Sequence, residues 1–161
     1  MAILEIVKHP DERLEKECST VTEFNEKLHT LLDNMFETMV ERDGVGIAAP
    51  QVGICERVAI VDLDDDEGTL EMINPSLTRK KGSATDVEGC LSFPGIYGEV
   101  ERPEMIVLKA QDRNGKWFEL EADDYLARAI QHEVDHLHGV LFTAKVTRFV
   151  KEEELEGYGE R

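Results

Sequence analysis

Long apolar runs are missing from this sequence. No stretch approaches the roughly 20 residues that span a bilayer, so a helical membrane protein is excluded. Basic residues are scarce: Lys and Arg number 18 against 35 Asp and Glu, a formal net charge of −17. The chain therefore lacks the basic footprint needed to bind DNA, RNA or an anionic membrane surface. Cysteines are few, odd in number and widely spaced, at Cys18, Cys55 and Cys90. The start, MAILEIVKHPDERLEKE, is charged within two turns and shows no secretory signal. The cysteines thus do not read as a disulfide framework. Two read as buried or inert thiols, and one as a candidate ligand or nucleophile. Repeats, low-complexity tracts and linkers are also absent, so residues 1–161 read as one domain with a short acidic tail from about residue 150. The expected location is the cytoplasm, and the expected state a monomer.

What is present suits a soluble globular protein: 41% hydrophobic and 33% charged residues. The acidic stretches DLDDDEG (62–68) and KEEELEGYGE (151–160) read as solvated surface. The first lacks the spacing and distal glutamate of a calcium loop. The clearest helix spans 25–44. Leu28, Leu31, Leu32, Met35, Phe36 and Met39 form one buried stripe between Asn25 as N-cap and Gly44 as the stop. Its His29 reads as a surface residue. RVAIVDLD (57–64) reads as a strand, and TLEMINPSL (69–77) as one stopped at Asn74-Pro75. Residues 105–123 read as a hairpin turning through Asn114-Gly115 in a type I′ turn. A second helix spans 123–139, capped by Asp123 or Asp124. Leu126, Ala129, Ile130, Val134 and Leu137 lie on its apolar side, and Gly139 ends it. A short helix is expected from about 147. Helix, several strands, helix suggests α+β with mostly antiparallel strands.

The second helix contains His132-Glu133-x-x-His136. Four residues apart, the two imidazoles lie on one face, about 40° apart around the axis, and can hold one metal ion. A catalytic site usually needs a third protein ligand. Downstream, His138 is too close in sequence and reads as a capping or surface histidine, while Glu152, Glu153, Glu154 and Glu156 belong to the acidic tail. Upstream, VEGCLSFPG (87–95) offers Cys90 in a strand-like stretch closed by a Pro-Gly turn, with Gly89 permitting close backbone approach. Two histidines and one thiolate leave a tetrahedral ion one open position, for water. Glu133 adjoins a ligand in sequence and can reach that water without binding the ion. GVGIAAPQVG (44–53) lacks the Gly-Lys-Ser/Thr ending of a phosphate loop, but Gln51 can donate from its amide. A zinc endopeptidase would instead take a downstream Glu or His as third ligand. A closed, non-catalytic site would need a fourth, for which Cys18 and Cys55 lack pattern context.

GVGIAAPQ, EGCLS and QHEVDH together resemble the three motifs of peptide deformylase, in the same order and at comparable spacing. The resemblance covers roughly residues 1–150. It implies antiparallel strands around a central helix that carries the histidine pair. It implies Cys90, His132 and His136 as ligands of one divalent metal, usually Fe²⁺, with Zn²⁺, Ni²⁺ or Co²⁺ in some members or preparations. Glu133 would be the general acid/base, and Gln51 with the Leu91 N–H the oxyanion donors. The implied reaction is hydrolysis of the formyl group from the N-terminal formyl-methionine of nascent polypeptides. Such a peptide could add as a strand between Gly44–Ala48, which includes Val45 and Gly46, and SFPGIYGE. Val45, Tyr125, Ala129 and the stem of Arg128 are candidates for the methionine pocket, with Gly89 nearby. Glu88 and Arg102 are a candidate pair to fix the Cys90 strand. Some family members carry a longer C-terminal helix that contacts the ribosome; the short acidic ending here puts that contact in doubt.

Overall fold

The computed structural model describes residues 2–63 and 68–158. Residues 64–67, all acidic, and Gly159 and Glu160 lie outside that range, so the surface reading of those positions has no structural counterpart. Its helices and strands, in chain order, are α1 (Glu26–Glu41), β1 (Gly46–Ala48), β2 (Val58–Asp62), β3 (Thr69–Lys81), β4 (Ala84–Cys90), β5 (Phe93–Arg102), β6 (Met105–Gln111), β7 (Trp117–Asp123), α2 (Asp124–Leu137) and β8 (Val146–Val150). The strands form a five-stranded sheet, β1-β2-β3-β6-β7, and a three-stranded sheet, β4-β5-β8, antiparallel throughout.

Alternation along the strands decides which helix each face meets. Ile47, Val58, Ile60 and Ile73 cluster with Leu28, Leu32, Met35 and Met39 of α1. Their neighbours Ala48, Ala59, Val61 and Met72 cluster with Ala127, Ala129, Ile130, Val134 and Leu137 of α2. The first sheet is thus sandwiched between two helices, and β2 is buried on both faces, as its continuous apolar run demands. Small residues on both sides of the α2 contact, Ala48 and Ala59 against Ala127 and Ala129, allow close approach of helix and sheet. The side of α2 carrying Arg128, His132 and His136 meets β4 and β5. This is the expected α+β arrangement around a central, metal-binding helix.

Local geometry departs from the sequence reading in several places. Asn25 caps α1 through its side chain and the Leu28 N–H. The helix nevertheless ends at Glu41, and Asp43, at φ 57°, takes the left-handed conformation one residue before Gly44, the expected stop. Asn74-Pro75 does not stop β3. Asn74 adopts φ 52°, the pairing shifts between Ile73 and Ser76, and the strand runs on to Lys81. A bulge absorbs the missing proline donor. In the hairpin only Gly115 has positive φ, at 85°, and its N–H donates to the Asp112 carbonyl. A type I′ turn needs positive φ at both central residues; the loop is instead a wider turn ending on a left-handed glycine, with Asp112 Oδ1 accepting from the Asn114 and Lys116 N–H groups. The chain reverses at Leu91-Ser92, and Pro94-Gly95 lies inside β5 rather than forming the turn. Residues 147–150 belong to β8, and among the described residues the 3-10 turn Glu152–Tyr158 follows. His29 is half-buried, its Nε2 2.8 Å from the Arg113 carbonyl, and so ties α1 to the hairpin loop.

Ala59 is fully buried in the cluster that includes α2. Ala59→Leu should overpack that contact and lower stability by about 1–3 kcal/mol. Urea unfolding with an unchanged m-value would show this.

Candidate active site

His132 and His136 project from one side of α2 with ring centroids 5.2 Å apart. Cys90 ends β4, where the pairing with β5 shifts between Gly89 and Cys90 and the chain reverses. Its Sγ lies 3.3 Å from His136 Nε2. One ligand atom from each of Cys90, His132 and His136 lies within 4.8 Å of the other two, and no other described residues form such a group. A tetrahedral ion with bonds of about 2.1 Å to nitrogen and about 2.3 Å to sulfur would hold its N and S ligands roughly 3.6 Å apart, so the spacing fits a divalent metal.

Glu88, two residues before Cys90, supports the histidines. Its Oε1 accepts from His132 Nδ1 and Arg102 Nη2, each at 2.9 Å. Its Oε2 accepts from Arg102 Nε at 2.5 Å and Arg128 Nη1 at 2.7 Å. Arg102 also reaches Asp135 at 2.9 Å, so the expected Glu88–Arg102 pair is part of a larger buried network. Burial pushes the Glu88 pKa up, but the hydrogen bonds from His132 and Arg102 overcome it and hold the carboxyl well below its usual range. Burial likewise pulls His132 down, and the hydrogen bonds to Cys90 and Glu88 outweigh it, raising its pKa well above that of an ordinary histidine. Burial pulls His136 down as well, and there nothing opposes it, so that histidine is held toward the neutral form that ligates metals.

Glu133 faces the same space. It is 5% exposed, and its Oε1 has no hydrogen-bond partner. Burial, with nothing to satisfy that oxygen, raises its pKa to about 7. Gln51 sits in the 3-10 turn Ala49–Val52. Its Oε1 accepts from the Ala48 N–H at 2.9 Å, which aims Nε2 at Cys90 Sγ (3.4 Å) and Ser92 Oγ (3.2 Å).

A cavity of about 670 Å³ joins these groups. Gly44, Val45, Gly46, Gln51, Gly89, Cys90, Leu91, Tyr125, Arg128, Ala129, His132 and Glu133 all line it, whereas His136 is fully buried behind it. The glycines make room for side chains. A Cβ on Gly46 would lie 2.5 Å from Glu133 Oε2, one on Gly44 2.9 Å from Leu91 Cδ1, and one on Gly89 2.8 Å from Tyr97 Cε1. The Arg128 guanidinium is occupied by Glu88 and by the carbonyls of Val100 and Ala84. Phe93 and Tyr97 of the SFPGIYGE segment line the cavity too, and Ile6, Lys8, Arg42 and Leu155 join them without any expectation from the sequence. Leu155 lies within the acidic tail read above as wholly solvated; the leucine among glutamates was the only hint. Buried Ser92 was missed as well. His138, the C-cap of α2, is on the surface beside Glu17, as expected.

A family model described as polypeptide deformylase matches residues 3–152. Peptide deformylase 1 of Bacillus cereus is 62% identical over 156 residues, which cover 97% of this chain and 100% of that protein. Peptide deformylase 1 of Bacillus subtilis is 52% identical over 155 residues, covering 96% and 97%. Among solved structures, a peptide deformylase from Thermotoga maritima superposes with a TM-score of 0.87 at 40% identity, covering 90% of this chain and 98% of that one. One from Legionella pneumophila gives 0.87 at 42%, covering 90% and 86%.

Replacing Glu88 tests the network. Glu88→Ala leaves two buried arginines short of a partner and should cost about 3–5 kcal/mol, with metal affinity down about 10–100-fold. The stability that Glu88 supplies should be fully present above the unfolded carboxylate pKa. It should disappear as pH falls from there toward the depressed folded value, because the unfolded state then binds the extra proton more readily. Denaturant titrations of wild type and variant should differ by a constant amount near pH 7, with the gap narrowing progressively as pH falls from about 4.5 to about 3.

Proposed function

This chain belongs to the peptide deformylase family, and on that premise we propose a role for each residue around the cavity. The chain is a metal-dependent hydrolase that removes the formyl group from the N-terminal formyl-methionine of newly made polypeptides. The observation that carries the assignment of roles is the juxtaposition in one cavity of three ligand atoms, an unpartnered buried carboxylate and an anchored amide. Cys90, His132 and His136 hold one divalent ion, Fe²⁺ in the cell, with Zn²⁺, Ni²⁺ or Co²⁺ able to replace it. Once held there, the ion supplies Lewis acidity, making a water acidic enough to attack at neutral pH.

Glu133 takes the proton of the attacking water and returns it to the leaving amine; a pKa of about 7 suits a group that must do both. As the formyl carbon becomes tetrahedral, Gln51 Nε2 and the Leu91 N–H donate to its oxygen. The Ala48 N–H keeps the Gln51 amide from turning away. Glu88 holds His132 so that Nδ1 faces the carboxylate and Nε2 is left for the metal.

The peptide adds to the outer edge of β1, an edge strand of its sheet. The Asp62 N–H donates to the Val45 carbonyl, so antiparallel alternation turns the backbone groups of Gly46 away from β2. They are left for a substrate strand. Gly44 and Gly89 flank that path. Val45, Tyr125, Ala129 and the Arg128 stem receive the methionine side chain. A formylated nascent chain as substrate places the enzyme in the cytoplasm or its organellar equivalent, working as a monomer.

Formate release from formyl-Met-Ala-Ser, measured anaerobically with Fe²⁺ supplied, tests these roles. Glu133→Ala should keep one metal per chain and lose about 10²–10⁴-fold in rate. Gln51→Ala should lose about 10²–10³-fold in kcat. Cys90→Ser should be metal-poor. A Glu133→Ala enzyme running at the wild-type rate would sink the proton-transfer role.

A further inference from the structure

Two of the three cysteines were expected to be buried or inert, and the structure brings the two outside the metal-ligand group, Cys18 and Cys55, together. Their sulfurs are 3.6 Å apart, and both are free thiols. The backbone fixes that approach. The Ser19 N–H donates to the Cys55 carbonyl at 3.1 Å and the Arg57 N–H to the Ser19 carbonyl at 3.0 Å, a parallel bridge between Ser19 and Glu56. The residues just before the bridge on each strand, Cys18 and Cys55, are therefore neighbours across it. Adjacent strands run roughly 4.8 Å apart, inside the window of about 4.4–6.8 Å between Cα atoms that a disulfide accepts. Cys18 is further held by its N–H to the Leu137 carbonyl at 2.9 Å and by its carbonyl from Arg57 Nε at 3.2 Å. Closing the bond requires the two sulfurs to draw together from 3.6 Å to about 2.05 Å.

We infer that Cys18 and Cys55 form a dithiol site, which low-molecular-weight disulfides such as oxidised glutathione convert to a reversible intramolecular disulfide. Half-exposed Cys55 is the entry point, and buried Cys18 resolves. The Cys55 thiolate attacks one sulfur of the small disulfide, forming a mixed disulfide and expelling one small thiolate. Cys18 then attacks the Cys55 sulfur and expels the second. The protein gives up two electrons and two protons, and the small disulfide leaves as two thiols. Burial, together with the hydrogen bond and charge of Cys55, pushes Cys18 up to about 12, which makes it a poor first attacker. Capping Cys55 in the mixed disulfide removes its share of that shift just when Cys18 must react. A metal site is a poorer reading: among the described residues only Cys90, His132 and His136 group three ligand atoms within 4.8 Å.

The bond would join residues 37 apart in sequence. The loop it closes contains α1, β1 and Gln51, so the oxidised chain loses entropy chiefly when unfolded. The inference does not depend on the deformylase reading.

The test uses the Ni²⁺-loaded full chain, incubated anaerobically with oxidised glutathione. Thiol counting, non-reducing peptide mapping and thermal melting follow. Two of three thiols should disappear, the Cys18 and Cys55 peptides should be linked, and Tm should rise by about 5 °C or more, with everything reversed by a phosphine reductant. Cys55→Ser and Cys18→Ser should show no linked peptide and no oxidant-dependent rise. Wild type that stops at a glutathione adduct on Cys55, or that links either cysteine to Cys90, would overturn the inference.

Discussion

The four hydrogen bonds accepted by Glu88 are the interaction on which the rest of the site depends. They gather β4, the far end of β5 and α2 around one carboxylate. Glu88 and Asp135 bring two negative charges, met by Arg102 and Arg128 inside and by Lys145 at the solvent side of Asp135. Buried ions tolerate no missing partner, so these elements can meet in one register. That register sets the metal ligands. A two-residue step along a strand advances about 6.6 Å, and a four-residue step along a helix about 6 Å. Once Glu88 meets His132, the next rung brings Cys90 to His136. The helix supplies two ligands, and the strand supplies one ligand and its brace.

Space was arranged as carefully as charge. α2 carries polar residues on the side facing β4 and must press its opposite side against the first sheet. Ala48, Ala59, Ala127 and Ala129 make that possible. At the cavity, the glycines that suggested a backbone track for a ligand first make room for the protein's own groups. Without a Cβ, Gly46 lets Glu133 extend beside β1, and Gly89 lets the Tyr97 ring lie across β4. Both demands coexist, because a residue without a side chain also leaves its backbone open to a substrate strand.

Much of this was legible in the sequence, for identifiable reasons. Strong periodicity revealed α1 and α2. The spacing of His132 and His136, and the lack of any downstream histidine but His138, directed attention to Cys90. What the sequence could not supply was geometry decided by contacts between distant residues. Asn74 reads as a strand stop because proline removes a donor, yet Asn74 Nδ2 bonds the Val21 carbonyl and Gln111, which pins a bulge and carries the strand onward. Arg128 and Glu88 are 40 residues apart in sequence, and no local pattern announces that the guanidinium is committed there. Cys18 and Cys55 look isolated because a single bridge between irregular segments pairs them.

Glu88 and Glu133 divide the labour of the site between them. Both carboxylates are buried, both flank the same histidine, and burial alone would raise both pKa values. Glu88 receives two hydrogen bonds at each oxygen and stays ionised. Glu133 leaves Oε1 unpartnered and titrates at about 7. The difference lies in donors, not depth. An anion with every lone pair engaged is a fixed charge, suited to orienting a ligand and useless as a proton carrier. One with an idle oxygen facing a cavity is poorly stabilised as an anion, and for that reason both accepts and releases a proton near neutrality. Moving a single donor onto Glu133 would lower its pKa and weaken it as a base, so its lack of partners is as much a part of the site as the crowding around Glu88.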